Sequence, residues 1–339
     1  MRLFFFLFSF LFIACDFNDN KFVEEKSEIL QLSDKIKNNP TNTDFLLDRV
    51  VFNINKKNYE SALFDINQCI KIDTLNSYFY FLAAQSYFEI SKIDNLKSDY
   101  PKKALRFIEK SINIEDDNYK YYALYGEIQL AFGRYEQSID LFNSSLEIEY
   151  NQTDVHHLMG YAFKNLDKTD IAINCFRNSI NIDPLNVNSY LELGIIYQSN
   201  NDTIAIDYYN TILQIDSSDI IALYNMALFY QENMLYNKSL ETYSRLLQFD
   251  SFNVNTHYNI GFIHMELKLF DLAVNNFADA IYSNSMFFEA YYARGICFET
   301  LGNIAQAEVD YRRSIEINPN YQYAIDALNR LNKNNLKYK

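Results

Sequence analysis

Small residues recur along this chain at a fixed spacing of 33 or 34 residues. They are Gly126, Gly160, Gly194, Ala227, Gly261 and Gly295. The two remaining glycines, Gly133 and Gly302, each follow a member of this series by seven residues. Every glycine therefore occupies one of two positions in a repeating unit. A fixed period of this length predicts an array of structural repeats, each of which buries its apolar face against its neighbours.

The unit around Gly160 contains two amphipathic helical patterns separated by a polar stretch at 164–169. Apolar residues recur at helical spacing at Leu158, Met159, Phe163, Ile171, Ala172, Cys175, Phe176 and Ile180. Pro184 closes the unit, because proline cannot continue a helix. The pattern predicts two antiparallel helices joined by a short turn. We expect Gly160 to let the second helix approach closely, and Gly133 and Gly302 to form left-handed caps.

The order of residue types in each unit resembles the tetratricopeptide repeat. That family carries a large, a small and an aromatic residue on its first helix, then alanine, an aromatic and a small residue on its second, and a closing proline. The last full unit matches with Tyr291, Gly295, Phe298, Gly302, Ala307, Tyr311, Ser314 and Pro319. Six units follow the pattern in register, and two upstream units follow it more loosely. The resemblance implies an all-α solenoid of helix-turn-helix pairs, wound into a right-handed superhelix.

The repeat frame divides the chain into about eight repeats and a C-terminal cap. The array spans 43–321, and its units are 43–76, 77–118, 119–152, 153–186, 187–219, 220–253, 254–287 and 288–321. The second unit carries about eight extra residues within 90–101 relative to the family period, which predicts a longer inter-helix loop with Pro101 at the start of the second helix. Residues 21–38 favour a leading helix, and 322–339 a polar capping helix and tail.

The N-terminal segment is typical of a bacterial lipoprotein signal. One basic residue, Arg2, precedes an apolar run at 3–13, which is too short to span a bilayer and suits a signal-peptide core. Phe12-Ile13-Ala14-Cys15 resembles a lipoprotein cleavage box, with Phe12 where leucine is usual. The resemblance implies a signal peptide at 1–14, lipidation of Cys15, and a tether leading to the array at 15–42. The alternative is an ordinary secretory signal with an incidental cysteine.

No catalytic or metal-binding constellation is present in the sequence. There is no Gly-rich phosphate loop, nucleophile elbow or HExxH motif, so we expect no enzyme activity and no cofactor. The other cysteines and the histidines read as packing residues, with no ligand spacing typical of a metal site: Cys69, Cys175, Cys297, His156, His157, His257 and His264. The net charge of −14 argues against nucleic acid as a partner.

The resemblance places a partner-binding groove on the first helices of the pairs. Positions carried over to this groove are Tyr78, Phe81, Gln85, Phe88, Glu127, His157, Tyr161, Lys164, Tyr224, Leu228, Gln231, Asn255, Asn259, Phe262, Glu289, Tyr292 and Glu299. The set is aromatic, amide-rich and mildly acidic, which suits an extended peptide or an amphipathic helix. The alternative is that several of these aromatics only fill the inner wall of the superhelix.

The sequence leads to one principal functional hypothesis and two rivals. The principal one is a non-enzymatic protein–protein interaction scaffold or adaptor, anchored by lipid to a membrane of a bacterial envelope, with its repeats on the periplasmic or surface face. One rival is a ligand-binding lipoprotein that captures a glycan or a peptide. The other is a regulatory subunit of an envelope enzyme.

Overall fold

The computed structural model of the protein describes residues 27–94 and 97–337. Within these residues the chain forms eighteen helices and no strand. The leading helix α1 covers 27–38. The helices that follow are α2 (Thr43–Asn55), α3 (Tyr59–Ile72), α4 (Ser77–Ile93), α5 (Tyr100–Ile114), α6 (Tyr119–Ala131), α7 (Tyr135–Ile148), α8 (Thr153–Asn165), α9 (Thr169–Ile182), α10 (Val187–Ser199), α11 (Ile204–Ile215), α12 (Ile220–Glu232), α13 (Tyr236–Phe249), α14 (Val254–Glu266), α15 (Phe270–Ser283), α16 (Phe288–Thr300), α17 (Ile304–Ile317) and α18 (Gln322–Lys337).

The helices from α2 to α17 form eight consecutive antiparallel pairs. The all-α repeat fold predicted from the sequence is confirmed. The chain divides into two compact units, of which one ends at Ile182 and the other begins at Asp183. The first unit contains α1 and the four pairs α2–α9, and the second contains the four pairs α10–α17 followed by α18.

An aromatic ring packed on a small residue joins the two helices of most pairs. In the first unit a Cβ added at Gly160 would lie 2.7 Å from Cε1 of Phe176, and one at Gly126 would lie 2.5 Å from Cε1 of Phe142. The second unit repeats this contact three times, at Gly194 with Tyr209, Gly261 with Phe277 and Gly295 with Tyr311. All five rings are fully buried. We call this contact the seam of a pair, and it explains why a small residue recurs in the sequence.

Among the described residues, seven pairs have one residue with a positive φ in the turn between their helices. Gly133 (φ 70°) and Gly302 (φ 80°) lie there, as predicted from the sequence. Non-glycine residues take the same conformation in five other pairs: Lys57, Asp167, Asn201, Met234 and Lys268. The left-handed conformation costs an L-residue about 1–2 kcal/mol, so these turns are maintained by the packing of the helices on either side.

Most first helices begin at a side-chain cap. Asn42, for example, accepts hydrogen bonds from the backbone N–H groups of Asp44 and Phe45. The same role is filled by Asn76, Asn118, Asn186, Asp219 and Asn253. Such a cap satisfies a backbone donor that the helix leaves unpaired and is worth about 1 kcal/mol. These capping residues therefore have a structural function at the junctions between pairs.

Two pairs, α2–α3 and α16–α17, carry a buried ion pair between their two helices. Arg49 donates from Nε and Nη2 to the carboxylate of Asp65, at 2.7 Å for both bonds. Arg294 donates in the same way to Asp310, at 2.8 and 2.9 Å. The side chains of Asp65 and Asp310 are only 2% and 4% exposed. Both pairs are bidentate, the geometry in which arginine binds a carboxylate most strongly.

The pair α4–α5 accommodates the extra residues differently from the sequence prediction. Pro101 lies in the first turn of α5, as predicted. The predicted longer loop is only part of the outcome, because α4 has 17 residues where α2 and α6 have 13. Lys97 forms an ion pair with Glu60 of α3, and its ammonium lies 5.3 Å from the centroid of Tyr100. The turn is thereby attached to the preceding pair.

The ends of the described chain cover the first and last pairs. Ile36 of α1 packs against Leu46, and Ala327 and Leu331 of α18 pack against Tyr311. The predicted signal peptide at 1–14, Cys15 and the start of the predicted leading helix lie outside the described residues. Within 27–94 and 97–337, no helix is long and apolar enough to cross a membrane.

Candidate functional site

The first helix α6 contacts the first helices α4 and α8 as well as its own partner helix. Their exposed and half-buried residues therefore share one surface of the first unit, which we call the inner face. An open depression of about 470 Å³ lies on it. Its lining residues are Phe81, Gln85, Tyr119, Lys120, Ala123, Leu124, Glu127, Gln152, Thr153, Asp154, Val155 and Leu158.

Three residues predicted from the sequence meet in this depression: Phe81, Gln85 and Glu127. Lys120 and Asp154 also line it and were missed by the sequence analysis. Both are the second residue of their helix, as are the predicted Tyr78, Asn255 and Glu289. Including the second residue of every first helix among the predicted groove positions would have identified both.

Charged groups at one edge of the depression are linked to each other. Lys92 Nζ donates to Oε1 of Glu127 and to Oε1 of Glu89, at 2.8 Å each. Burial disfavours the lysine charge, but these hydrogen bonds and the two carboxylate charges outweigh it and raise the pKa of Lys92. The same ammonium lies 4.3 Å from the centroid of Phe88. Glu127 is therefore held in place before any ligand arrives.

The prediction that Phe88 faces the groove is wrong. Its side chain is 3% exposed and packs with Ala84, Ile108 and Ile128. Two neighbours explain the burial, since α6 packs against this part of α4 and Lys92 covers the ring. Phe88 therefore belongs to the core of the first unit, in line with the alternative that some predicted groove aromatics only fill space.

The other predicted residues of the first unit lie on the same helices but do not line the depression. Tyr78 is exposed and stacks on Phe81, with ring centroids 6.0 Å apart. On α8, Tyr161 is exposed and the Lys164 ammonium lies 5.6 Å from its ring centroid. His157 is half-buried, with its ring 5.5 Å from that of Phe176.

In the second unit, several predicted groove residues form hydrogen bonds with one another. Asn259 Nδ2 donates to the hydroxyls of Tyr224 at 3.1 Å and Tyr243 at 2.9 Å. The Tyr243 hydroxyl donates to Gln231 Oε1 at 3.2 Å. This network connects α12, α13 and α14, so these polar groups already contribute to the fold. Leu228 and Phe262 are half-buried nearby in sequence, and Asn255 is exposed.

A cluster of tyrosines surrounds the start of α18. Tyr292 contacts Tyr321 edge-on at 5.4 Å and Tyr323 at 6.2 Å, and Tyr321 contacts Tyr323 at 5.6 Å. Burial, neighbouring tyrosines and Glu289 raise the pKa of Tyr321 to about 12. Tyr258 is also close enough to Glu289 for that carboxylate to raise its pKa, after the larger effect of burial. We call Tyr258, Tyr292, Tyr321, Tyr323 and Glu289 the tyrosine niche.

Cys69, Cys175, Cys297 and all four histidines have packing or hydrogen-bonding neighbours. Cys69, Cys175 and Cys297 are buried, which raises their thiol pKa to about 11, 11 and 12. Ring nitrogens of the histidines hydrogen-bond as follows: His156 Nε2 with Tyr150 O, His257 Nε2 with Ser251 O, and His264 Nδ1 with Asn276 Oδ1. Within 27–94 and 97–337, no group of three or more His, Cys, Asp or Glu side chains could hold a metal ion.

Comparison with known proteins identifies the repeat type in two segments. Residues 153–184 and 288–321 match family models of the tetratricopeptide repeat. A curated relative, a TPR repeat-containing protein of Methanocaldococcus jannaschii, is 28% identical over 207 residues. That match covers 54% of this chain and 34% of the relative, so the chain spans about a third of that protein.

Solved structures share the fold at low sequence identity. The C-terminal part of a TPR repeat-containing protein from Cytophaga hutchinsonii has a TM-score of 0.60 at 13% identity, over 68% of this chain and 96% of that one. A tetratricopeptide repeat protein from Parabacteroides merdae has a TM-score of 0.50 at 15% identity, over 73% of this chain and 99% of that one. Residues 153–184 and 288–321 are thus recognised as tetratricopeptide repeats within an all-α array of that fold.

Proposed function

We propose that this chain is a non-enzymatic scaffold or adaptor that holds a peptide or a helix of a partner protein on its inner face. The observation that carries the proposal is the depression on α4, α6 and α8, where the predicted residues Phe81, Gln85 and Glu127 meet. Tetratricopeptide repeats generally bind protein or peptide partners, which supports this choice.

The chemistry of the depression suits a peptide with both apolar and polar side chains. Phe81, Ala123 and Leu158 offer apolar surface, and the amide of Gln85 makes no hydrogen bond within the described residues. Lys120 and Asp154 form no ion pair in the described part of the chain, so both charges are available to a ligand. A free amide pairs with a peptide backbone, and the opposite charges on α6 and α8 orient the bound chain.

We further propose that the array is fixed to a membrane of a bacterial envelope by lipid on Cys15, after removal of residues 1–14. The sequence supports this through the apolar run at 3–13 and the Ile13-Ala14-Cys15 box. Stable anchoring requires more than one acyl chain, as a lipoprotein N-terminus supplies. Labelling of cells with an alkyne fatty acid should mark the wild-type chain and leave Cys15→Ser unmarked. Equal labelling of both would contradict the anchor.

Site-specific photo-crosslinking in the native cells tests the scaffold proposal. A photoreactive amino acid replaces Gln85 on the inner face or, as a matched control, Gln68 on α3. Gln68 lies four residues after Phe64 just as Gln85 lies four residues after Phe81, and both glutamines line open depressions. We expect one recurrent protein to crosslink through position 85 and not through position 68. Equal capture at both positions, or none at 85, would contradict the proposal.

A further inference from the structure

We propose that the tyrosine niche of the second unit binds a cationic side chain, arginine or lysine, of the partner protein. This inference rests on the proposed function, because it names the chemistry by which a partner would be recognised at a second place. It depends on three features of the niche, namely the tyrosine rings, an unpaired carboxylate and the charges around them.

The rings form a preassembled aromatic wall. Tyr321 is fixed between Phe288, 4.8 Å away at 70°, and Tyr292, 5.4 Å away at 89°. Tyr323 extends the wall and is 68% exposed. No lysine or arginine of the described residues lies over the rings of the niche, and their hydroxyls make no hydrogen bond within that part of the chain. The exposed ring of Tyr323 is thus available for a cation–π contact, which tyrosine provides for both guanidinium and ammonium groups.

The carboxylate beside this wall has no partner within 27–94 and 97–337. Glu289 is half-buried on α16 and forms no ion pair or hydrogen bond within the described residues. It lies three residues before Tyr292 and therefore on the same face of that helix. Its charge also raises the pKa of Tyr258 and Tyr321. A cation stacked on these rings would form the ion pair that Glu289 lacks.

The surrounding charges leave the niche negative. Arg330 approaches Tyr292 but is paired with Glu299 at 2.8 Å, and Glu299 also accepts a hydrogen bond from Tyr311 at 2.7 Å. Asp326 accepts a hydrogen bond from the neutral amide of Gln322 at 2.8 Å. Two carboxylates, Glu289 and Asp326, thus face the niche without a cation bonded to either. This excess of negative charge favours a positive ligand over a neutral or an anionic one.

Binding of peptides to the purified protein tests this inference. The purified full-length chain, in mild detergent, selects ligands from a random peptide library. Calorimetry measures each affinity before and after every arginine is replaced singly by neutral citrulline and every lysine by neutral acetyl-lysine. We expect one arginine or lysine whose replacement weakens binding about tenfold in the wild type, as a cation–π contact with an ion pair would give. In Glu289→Gln and in Tyr323→Ala the same replacement should have little effect.

A control variant and two distinct negative outcomes complete the design. Glu266→Gln removes the same charge from an exposed residue at the end of α14 and should retain the full arginine preference. Peptides that bind with no arginine or lysine preference, or with a preference that Glu289→Gln leaves intact, would overturn this inference and leave the scaffold proposal standing. Failure of every peptide to bind would overturn both.

Discussion

The two sides of a first helix in this protein follow opposite rules. On α8, Gly160 is buried against Phe176 in the seam, whereas its neighbour Tyr161 is 40% exposed. The seam contact of a small residue with a buried ring returns from pair to pair in both compact units. The exposed side changes instead, from Phe81 and Gln85 on α4 to Ala123 and Glu127 on α6. The repeated residues therefore build the fold, and the variable ones are available for recognition.

The largest effect on stability is expected from removing the buried aromatic ring of a seam. Phe176→Ala removes a fully buried ring and should lower the free energy of unfolding by about 3–5 kcal/mol. Tyr161→Ala truncates a similar ring on the exposed side and should cost less than about 1 kcal/mol. Urea unfolding of the full chain measures both. Similar losses in the two variants would break the distinction between seam and exposed side.

The next effect concerns the buried ion pair beside the last seam. Arg294→Leu leaves the carboxylate of Asp310 buried without its partner and should cost about 3 kcal/mol. Replacing both residues by leucine removes the two charges together and should recover most of that loss. Thermal unfolding of the single and double variants checks this. A double variant as unstable as the single one would mean that the pair, and not the unpaired charge, determines stability.

A smaller effect should separate pairs that have glycine in the seam from the pair that has alanine. A Cβ at Gly194 would lie 2.5 Å from the Tyr209 ring, so Gly194→Ala should destabilise the chain by about 1–2 kcal/mol. In the next pair Ala227 is already fully buried beside Tyr243, and Ala227→Gly should cost only about 1 kcal/mol, through helix propensity. Chemical denaturation of both variants gives the comparison, and a stabilising Gly194→Ala would contradict it.

The smallest effect belongs to the turns inside the pairs. Met234 has a φ of 58° and is 74% exposed, so Met234→Gly should relieve strain and stabilise the chain by about 0.5–1 kcal/mol. Gly133→Ala at the equivalent turn should destabilise it by about 1 kcal/mol. The midpoint of thermal unfolding should thus move in opposite directions. Shifts of the same sign would show that the turn conformation does not limit stability.

The sequence predicted what depends on the period and missed what depends on contacts between helices. Gly133 and Gly302 mark their turns because glycine favours a positive φ, while Met234 carries no such signal. The pairing of Arg294 with Asp310 joins residues 16 apart on two helices, a contact that no pattern on a single helix indicates. Phe88 has the spacing of a groove residue, but the packing of α6 against α4 buries it.

The central claim is that recognition belongs to the inner face, and two matched double variants test it most directly. Phe81→Ala/Gln85→Ala alters the inner face, and Phe64→Ala/Gln68→Ala makes the same changes at the same spacing on α3. Calorimetry would measure the affinity of each variant for peptides selected by the wild-type chain. We predict a loss of at least about tenfold for the first variant and less than about twofold for the second. Equal losses, or a greater loss for the α3 variant, would contradict the account.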